Sequence, residues 1–171
     1  MALSNPRRKV VEAIAGEALV HGDVVHLIMQ QTDTSDARYS AVKYDTADAD
    51  NVVPTIGVVD SGIAIASGDQ VSCVVEGHCQ AKVYYETVNQ SIGLLLYVGD
   101  GATTAAADGT FTTAINHSDA ATAVTDLSAA NQVMAYLRYT RAQVLESTAV
   151  TAAAASRLTL VRVFNNPATP S

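Results

Sequence analysis

An all-β fold, a small barrel or sandwich of about nine or ten short strands, is predicted by three observations on this sequence. The first is a phrase that occurs twice. Ala18-Leu19-Val20-His21-Gly22-Asp23-Val24-Val25 is echoed by Ala64-Ile65-Ala66-Ser67-Gly68-Asp69-Gln70-Val71. Each Gly-Asp reads as a tight turn feeding a strand. Glycine supplies a positive φ, and aspartate bonds nearby backbone N–H groups. The second observation is a set of further short Val/Ile runs bounded by Gly, Asp, Asn and Pro. The third is composition: 49% of residues are hydrophobic but only 5% aromatic, with no Trp. A core of Val, Ile, Leu and Ala is therefore expected, thin enough to favour assembly with copies or partners.

Residues 1–8 read as an extended basic arm, because Pro6 lacks an N–H and biases Asn5 away from the helical region. Lys9 to Ala15 fits a strand. A helix running to Leu19 has suitable apolar spacing, but Gly16 and Gly22 favour the strand. Asp23 to Gln31 is a continuous apolar strand. Thr32 to Asp36 is a polar turn. In Arg38 to Tyr44, Tyr39, Ala41 and Lys43 alternate with Ser40, Val42 and Tyr44. Thr46 to Asn51 is an acidic loop. Pro54 limits Thr55 to Val59 to a sheet edge or a strand start.

Gly62 to Ala66 leads into the second Gly-Asp turn. Gln70 to Val75 and His78 to Glu86, split by Glu76-Gly77, form a hairpin or one long bulged strand. Ser91 to Val98 is the most apolar run and is expected to be the most buried strand, closed by Gly99-Asp100-Gly101. Residues 102–130 are an Ala/Thr-rich excursion with room for a short strand at Thr110 to Thr113. Val133 to Thr140 reads as a strand. Arg141 to Ser156 has the spacing for one short helix, weakened by Thr148, Val150 and Thr151. Arg157 to Phe164 should be the last strand. Residues 9–164 thus form a single β-rich domain, and residues 165–171, with Pro167 and Pro170, a flexible tail.

The net charge of −7 is unevenly spread. Arg7, Arg8 and Lys9 stand without a nearby acid, whereas residues 10–132 carry sixteen acids against Arg38, Lys43 and Lys82. Phosphate repulsion by such a body argues against direct nucleic-acid binding. A basic end on an acidic body can attract a second subunit or an acidic partner surface. No run approaches the roughly 18 apolar residues of a membrane span, and the first residues lack the apolar segment of a signal peptide. Cys73 and Cys79 are expected as free thiols of a reducing cytoplasm, although a hairpin could oppose them.

Catalytic and metal chemistry find little footing. No Gly-x-Ser-x-Gly elbow or Gly-rich phosphate loop is present. His78 and Cys79 face opposite sides of a strand, and the six-residue step from Cys73 to Cys79 does not suit a zinc knuckle. Asp45, Asp48 and Asp50 lack the turn glycine and distal glutamate of a calcium loop. The expectation is a non-enzyme with no catalytic residue, metal or cofactor.

The order of segments resembles the capsid cement, or head-decoration, proteins of tailed bacteriophages. The similar residues are the basic arm, Gly22-Asp23-Val24-Val25, Ile56-Gly57-Val58-Val59, Ile63 through Val71 running to Val75-Glu76-Gly77, and Gly93 to Gly101. The match covers roughly residues 5–101, with a looser echo in Val133 to Phe164. The resemblance implies a small, usually trimeric β-barrel on the outside of an icosahedral head. There it would clamp neighbouring copies of the major capsid protein, after assembly in the host cytoplasm. It also implies that Pro6, Arg7, Arg8 and Lys9 form a partner-binding arm. Gly22, Asp23, Gly68 and Asp69 remain structural turns. The alternatives are a tail or fibre component and, in another class, a small ligand-binding barrel.

Overall fold

The computed structural model describes residues 8–31, 37–44, 55–85, 92–98, 108–112, 140–146 and 155–164. Nine strands are formed among them: β1 (Lys9–Ala15), β2 (Val24–Gln31), β3 (Ala37–Lys43), β4 (Thr55–Val59), β5 (Gln70–Tyr85), β6 (Leu95–Val98), β7 (Phe111–Thr112), β8 (Thr140–Val144) and β9 (Ala155–Val163). No helix occurs among the described residues. The strands run β1-β3-β2-β4-β5, and pairing of β5 with β1 closes a five-stranded barrel. From β5 the order continues β7-β6-β8-β9, and pairing of β9 with β5 closes a second ring.

The 16-residue strand β5 belongs to both rings. Its first part pairs with β1 and β4, and the part from Gly77 onward pairs with β9 and β7. The register against β1 jumps from Glu76 to Val74 between Lys9 and Val10, which marks a bulge at Val75. Gly77 follows with φ 104°, a value side chains resist. A bulge beside such a glycine bends and twists a strand enough to leave one barrel wall and enter another. Of the two sequence readings for this segment, the bulged long strand is the one formed.

Two apolar cores result. Inside the first barrel lie Ala13, Ala15, Leu19, Val25, Leu27, Ala41, Val59, Val71, Cys73 and Val75. The larger core joins Val24, Ile56, Val58 and Val74 to Val83, Tyr85, Leu96, Phe111, Ala142, Val144, Val161 and Val163. Neighbouring residues of β2, β4 and β5 therefore point into different cores: Val24 against Val25, Val58 against Val59, Cys73 against Val74. Covering both faces of a strand removes any need for polar alternation, which is why these runs are continuously apolar. Fully burying each Val or Leu contributes about 1.5–3 kcal/mol.

The repeated phrase is a structural repeat. Leu19 and Ile65, at matching positions, exchange both backbone hydrogen bonds, at 3.0 and 2.8 Å. In the first copy Gly22 N–H donates to Val59 O and Val59 N–H to Asp23 O, both at 2.9 Å. In the second, Gly68 N–H donates to Ala15 O at 2.7 Å and Ala15 N–H to Asp69 O at 2.9 Å. Each turn is closed by the same 3.1 Å bond, Asp23 N–H to Val20 O and Asp69 N–H to Ala66 O. The two copies thus make the same set of backbone bonds, each to the strand that precedes the other copy. Strand β1 therefore pairs with the strand that follows the second copy, and β4 with the strand that follows the first.

Several expectations change. Arg141 to Val144 is not helical but lies in β8, because Ala142 and Val144 complete the second core between β6 and β9. Ser91 to Val98 is not the most buried strand. Only Leu95–Val98 is a strand, and Ile92 and Leu95 are 65% and 43% exposed. Gly93, at φ 92°, turns the chain before the strand can lengthen. Strand β4 is no edge: it sits between β2 and β5, starting directly after Pro54. Phe111–Thr112 supplies the short strand expected inside the excursion, and β9 covers the expected last strand. Residues 1–7 of the arm, the turn at 32–36, the loop at 46–51, most of 102–130, all of 133–139 and the tail lie outside the described residues.

Candidate functional site

Strand β1 ends the arm and starts the barrel. Pro6 and Arg7 lie outside the described residues. Arg8 forms an ion pair with Asp60, which follows β4. His21 Nδ1 stands 3.8 Å from the other oxygen of that carboxylate. The Arg8 and Asp60 side chains are 40% and 39% exposed, so solvent screening leaves the pair little influence on stability. Its effect is positional: it pins the residue before β1 to the residue after β4. Lys9 is already the first residue of β1, exposed and opposite Glu76.

The two Gly-Asp turns have the same backbone but different surroundings. Gly22 and Gly68 have φ of 83° and 92°, the values the turn reading requires. At the first turn, Asp23 is 1% exposed. Its Oδ2 accepts from Val20 N–H at 2.8 Å, and its Oδ1 accepts from Lys82 Nζ at 2.6 Å. Lys82 N–H also donates to Gly22 O at 2.8 Å. One lysine on β5 thus meets the turn with both its backbone and its ammonium. Asp23 is buried, so loss of Lys82 would leave its carboxylate uncompensated, and the contact ties the first barrel's turn to the second ring. The second turn is exposed, and an added Cβ at Gly68 would meet nothing within 4 Å.

Lys82 was not singled out by sequence reasoning. The available signal was a lone cation inside the run Ala81-Lys82-Val83-Tyr84-Tyr85. Gly57 was also missed as a packing residue. A Cβ there would lie 2.9 Å from Cys73 Cβ, so glycine is what lets β4 approach β5 and Leu27.

Cys73 and Cys79 are free and buried, one in each core. Burial pushes each thiol up to about 12, helped at Cys73 by the Glu12 charge. At Cys79, Arg8 lowers and Asp60 raises the value by smaller amounts. Thiols held this far above neutrality carry almost no thiolate and are poor nucleophiles and poor metal ligands. Among the described residues no three His, Cys, Asp or Glu side chains gather into a metal-binding group. Asp45, Asp48, Asp50 and His117 lie outside them.

A surface cleft of about 300 Å³ opens between β1 and β3, lined by Glu12, Ala13, Ile14, Arg38, Tyr39 and Gln70. It exists because the parallel pairing of these strands covers only Ile14 with Ser40 and Ala15 with Ala41. Glu12 is already engaged there, accepting from Ser72 Oγ at 2.6 Å and Gln70 Nε2 at 3.3 Å. What the described surface offers is an exposed turn at Gly68-Asp69, the Arg8–Asp60 pair and this cleft. No protein-family model matches this chain, and no curated protein matches it.

Proposed function

We propose that this chain is a capsid cement protein. It binds the outer surface of an icosahedral phage head as a homotrimer and stabilises contacts between major capsid proteins, without catalysis, metal or cofactor. The observation that carries the reading is the ordered series of Gly-Asp turns and apolar strands that resembles that family, on an all-β barrel. Two features support it. The ion pair of Arg8 with Asp60 pins the residue that precedes β1, and an arm ahead of it, with Pro6 and Arg7, suits strand addition to a partner's sheet edge. The remaining surface carries scattered exposed apolar side chains, including Met29, Ile63, Leu158 and Leu160.

The mechanism is added interface. Each bound copy buries modest area, and because shell rupture must break many contacts together, their effects multiply. The test uses heads lacking this protein, refilled or not with the purified chain, heated while DNA release is followed. Refilled heads should release DNA at a higher temperature. A chelator should change nothing, and a reducing agent little. Deleting residues 2–8 should weaken head binding while leaving the melting temperature of the free protein unchanged. Equal DNA release from bare and refilled heads would refute the cement reading.

A further inference from the structure

The wall of the first barrel is open between β1 and β3. Their ladder holds only Ile14 with Ser40 and Ala15 with Ala41. Ahead of it, among the described residues, Lys9 to Ala13 pair with β5 alone and Ala37 to Tyr39 with β2 alone. Backbone alternation tells which groups are left over. Ala15 N–H donates to Asp69 O on one side of β1, and Gly16 N–H to Ala41 O on the other, both at 2.9 Å. By that alternation Val11 and Ala13 point their N–H and C=O groups at β5, whereas Val10 and Glu12 point theirs toward β3. Ala37 and Tyr39 point back toward β1, on the same side as Ala41. The cleft of about 300 Å³ lies in this gap. The core is incompletely covered here too: Val11 and Tyr39, which pack against it from the two lips, are only partly buried.

We propose that this gap is the docking site for one extended segment of a partner chain, which enters between β1 and β3 and completes the barrel wall. Two facing rows of amide groups call for a backbone, because only another strand returns donors and acceptors at ladder spacing. β1 and β3 are parallel, so the segment runs antiparallel to both, the more stable pairing per residue. The unpaired part of β1, Lys9 to Ala13, is about 13 Å long, which suits a segment of about three to five residues. Its inward side chains meet Val11 and Tyr39 and are apolar. Charge selects a neutral segment: Glu12 and Arg38 line the cleft with one charge of each sign, and Lys9 stands opposite Glu76 at its end.

A second copy has no such strand to lend among its described residues, since each of them already lies in one of the two closed rings. The segment is assigned to the major capsid protein, a source that rests on the proposed function. One partner can meet both features of β1. Its free edge is a lip of the gap, and Arg8, just ahead of it, leads back into the arm.

Two measurements on the full chain test the proposal. The first titrates the blocked neutral peptide acetyl-Thr-Val-Ser-Val-Thr-amide to millimolar concentration and follows backbone amide signals by NMR. Val10, Glu12 and Tyr39 should shift, while Val11 and Ala13, whose N–H groups face β5, should shift less. Added salt should change the affinity less than about twofold, since no net charge is matched. The second measures binding to heads lacking this protein. Val10→Pro and Ala37→Pro each remove a donor from one lip and leave the ladders with β5 and β2 intact. Each should bind heads at least about fivefold more weakly, at an unchanged melting temperature. If one variant fails to fold, the other carries the test from the opposite lip. The docking proposal is overturned if the peptide leaves the three gap amides unmoved, or if both variants bind heads like the original chain. Shifts of those amides that grow with protein concentration and need no peptide make a second copy the occupant and overturn it as well. A gap that takes the peptide in a chain that does not bind heads leaves the site standing and sinks the cement reading, with the assigned source.

Discussion

Replacing each repeated glycine by alanine should separate backbone strain from docking. At Gly68 the only penalty is the left-handed conformation, φ 92°, with no atom near the new Cβ. That strain costs about 1–2 kcal/mol. At Gly22, φ 83° brings the same strain, and the new Cβ would also lie 2.3 Å from Leu158 Cδ2 and 3.3 Å from Lys82 N. Leu158 is 46% exposed and can swing aside at some loss of packing, but the β5 backbone cannot. Overpacking of this kind adds about 1–2 kcal/mol, for a total near 2–4 kcal/mol. For a chain of this length 1 kcal/mol is worth about 2–4 °C in melting temperature. Gly22→Ala should therefore melt several degrees below Gly68→Ala. The assay is urea unfolding of both variants, repeated in a Leu158→Ala background. There the excess cost at Gly22 should shrink, leaving the contact with Lys82 N. Equal costs at the two glycines, or an excess unaffected by Leu158→Ala, would refute the account of the docked turn.

Three further outcomes are expected. Lys82→Met should destabilise by about 2–4 kcal/mol in chemical denaturation, because it leaves the buried Asp23 carboxylate with Val20 N–H alone, while Asp23→Asn/Lys82→Met should recover part of that loss. Gly57→Ala should cost about 1–3 kcal/mol by pressing on Cys73 Cβ at 2.9 Å, and Cys73→Ala should not relieve it, since the contact is with the β carbon that alanine retains. The thiols should resist Ellman's reagent at pH 8 until the protein unfolds. Their folded pKa of about 12 lies above the ordinary 9.0 of a free thiol, so the unfolded chain binds fewer protons between those values and stability falls as pH rises through that window. Cys73→Ala/Cys79→Ala should flatten that alkaline fall in a pH series of melting temperatures.

Which parts of the site could be read in advance follows from how local each signal is. Gly22-Asp23 and Gly68-Asp69 are legible because a positive φ and an aspartate-closed turn are properties of neighbouring residues. The partner of Asp23 was not, because Lys82 lies far along the chain and only the closure of the second ring brings it to the turn. Asp60 as the anchor for Arg8 was hidden in the same way. The helical spacing of Ala142, Leu145, Ala149 and Ala152 is a true local feature of Arg141 to Ser156, but Ala142 and Val144 gain more by filling a core between β6 and β9 than an isolated helix would supply.

The sequence by itself determined the all-β class, the strand positions from β1 to β5, the two turns and the twin copies of the turn phrase. These follow from dihedral preference and side-chain alternation, which act over a few residues. Tertiary structure alone decided that β5 is continuous through Gly77, that it serves two rings, and that Val24 and Val25 face different cores. It also decided that one Gly-Asp turn is buried against Lys82 while its twin is exposed. The physical reason is that a strand's neighbours are chosen by closing the sheet. Closure depends on residues distant in sequence, whose contacts no local pattern encodes.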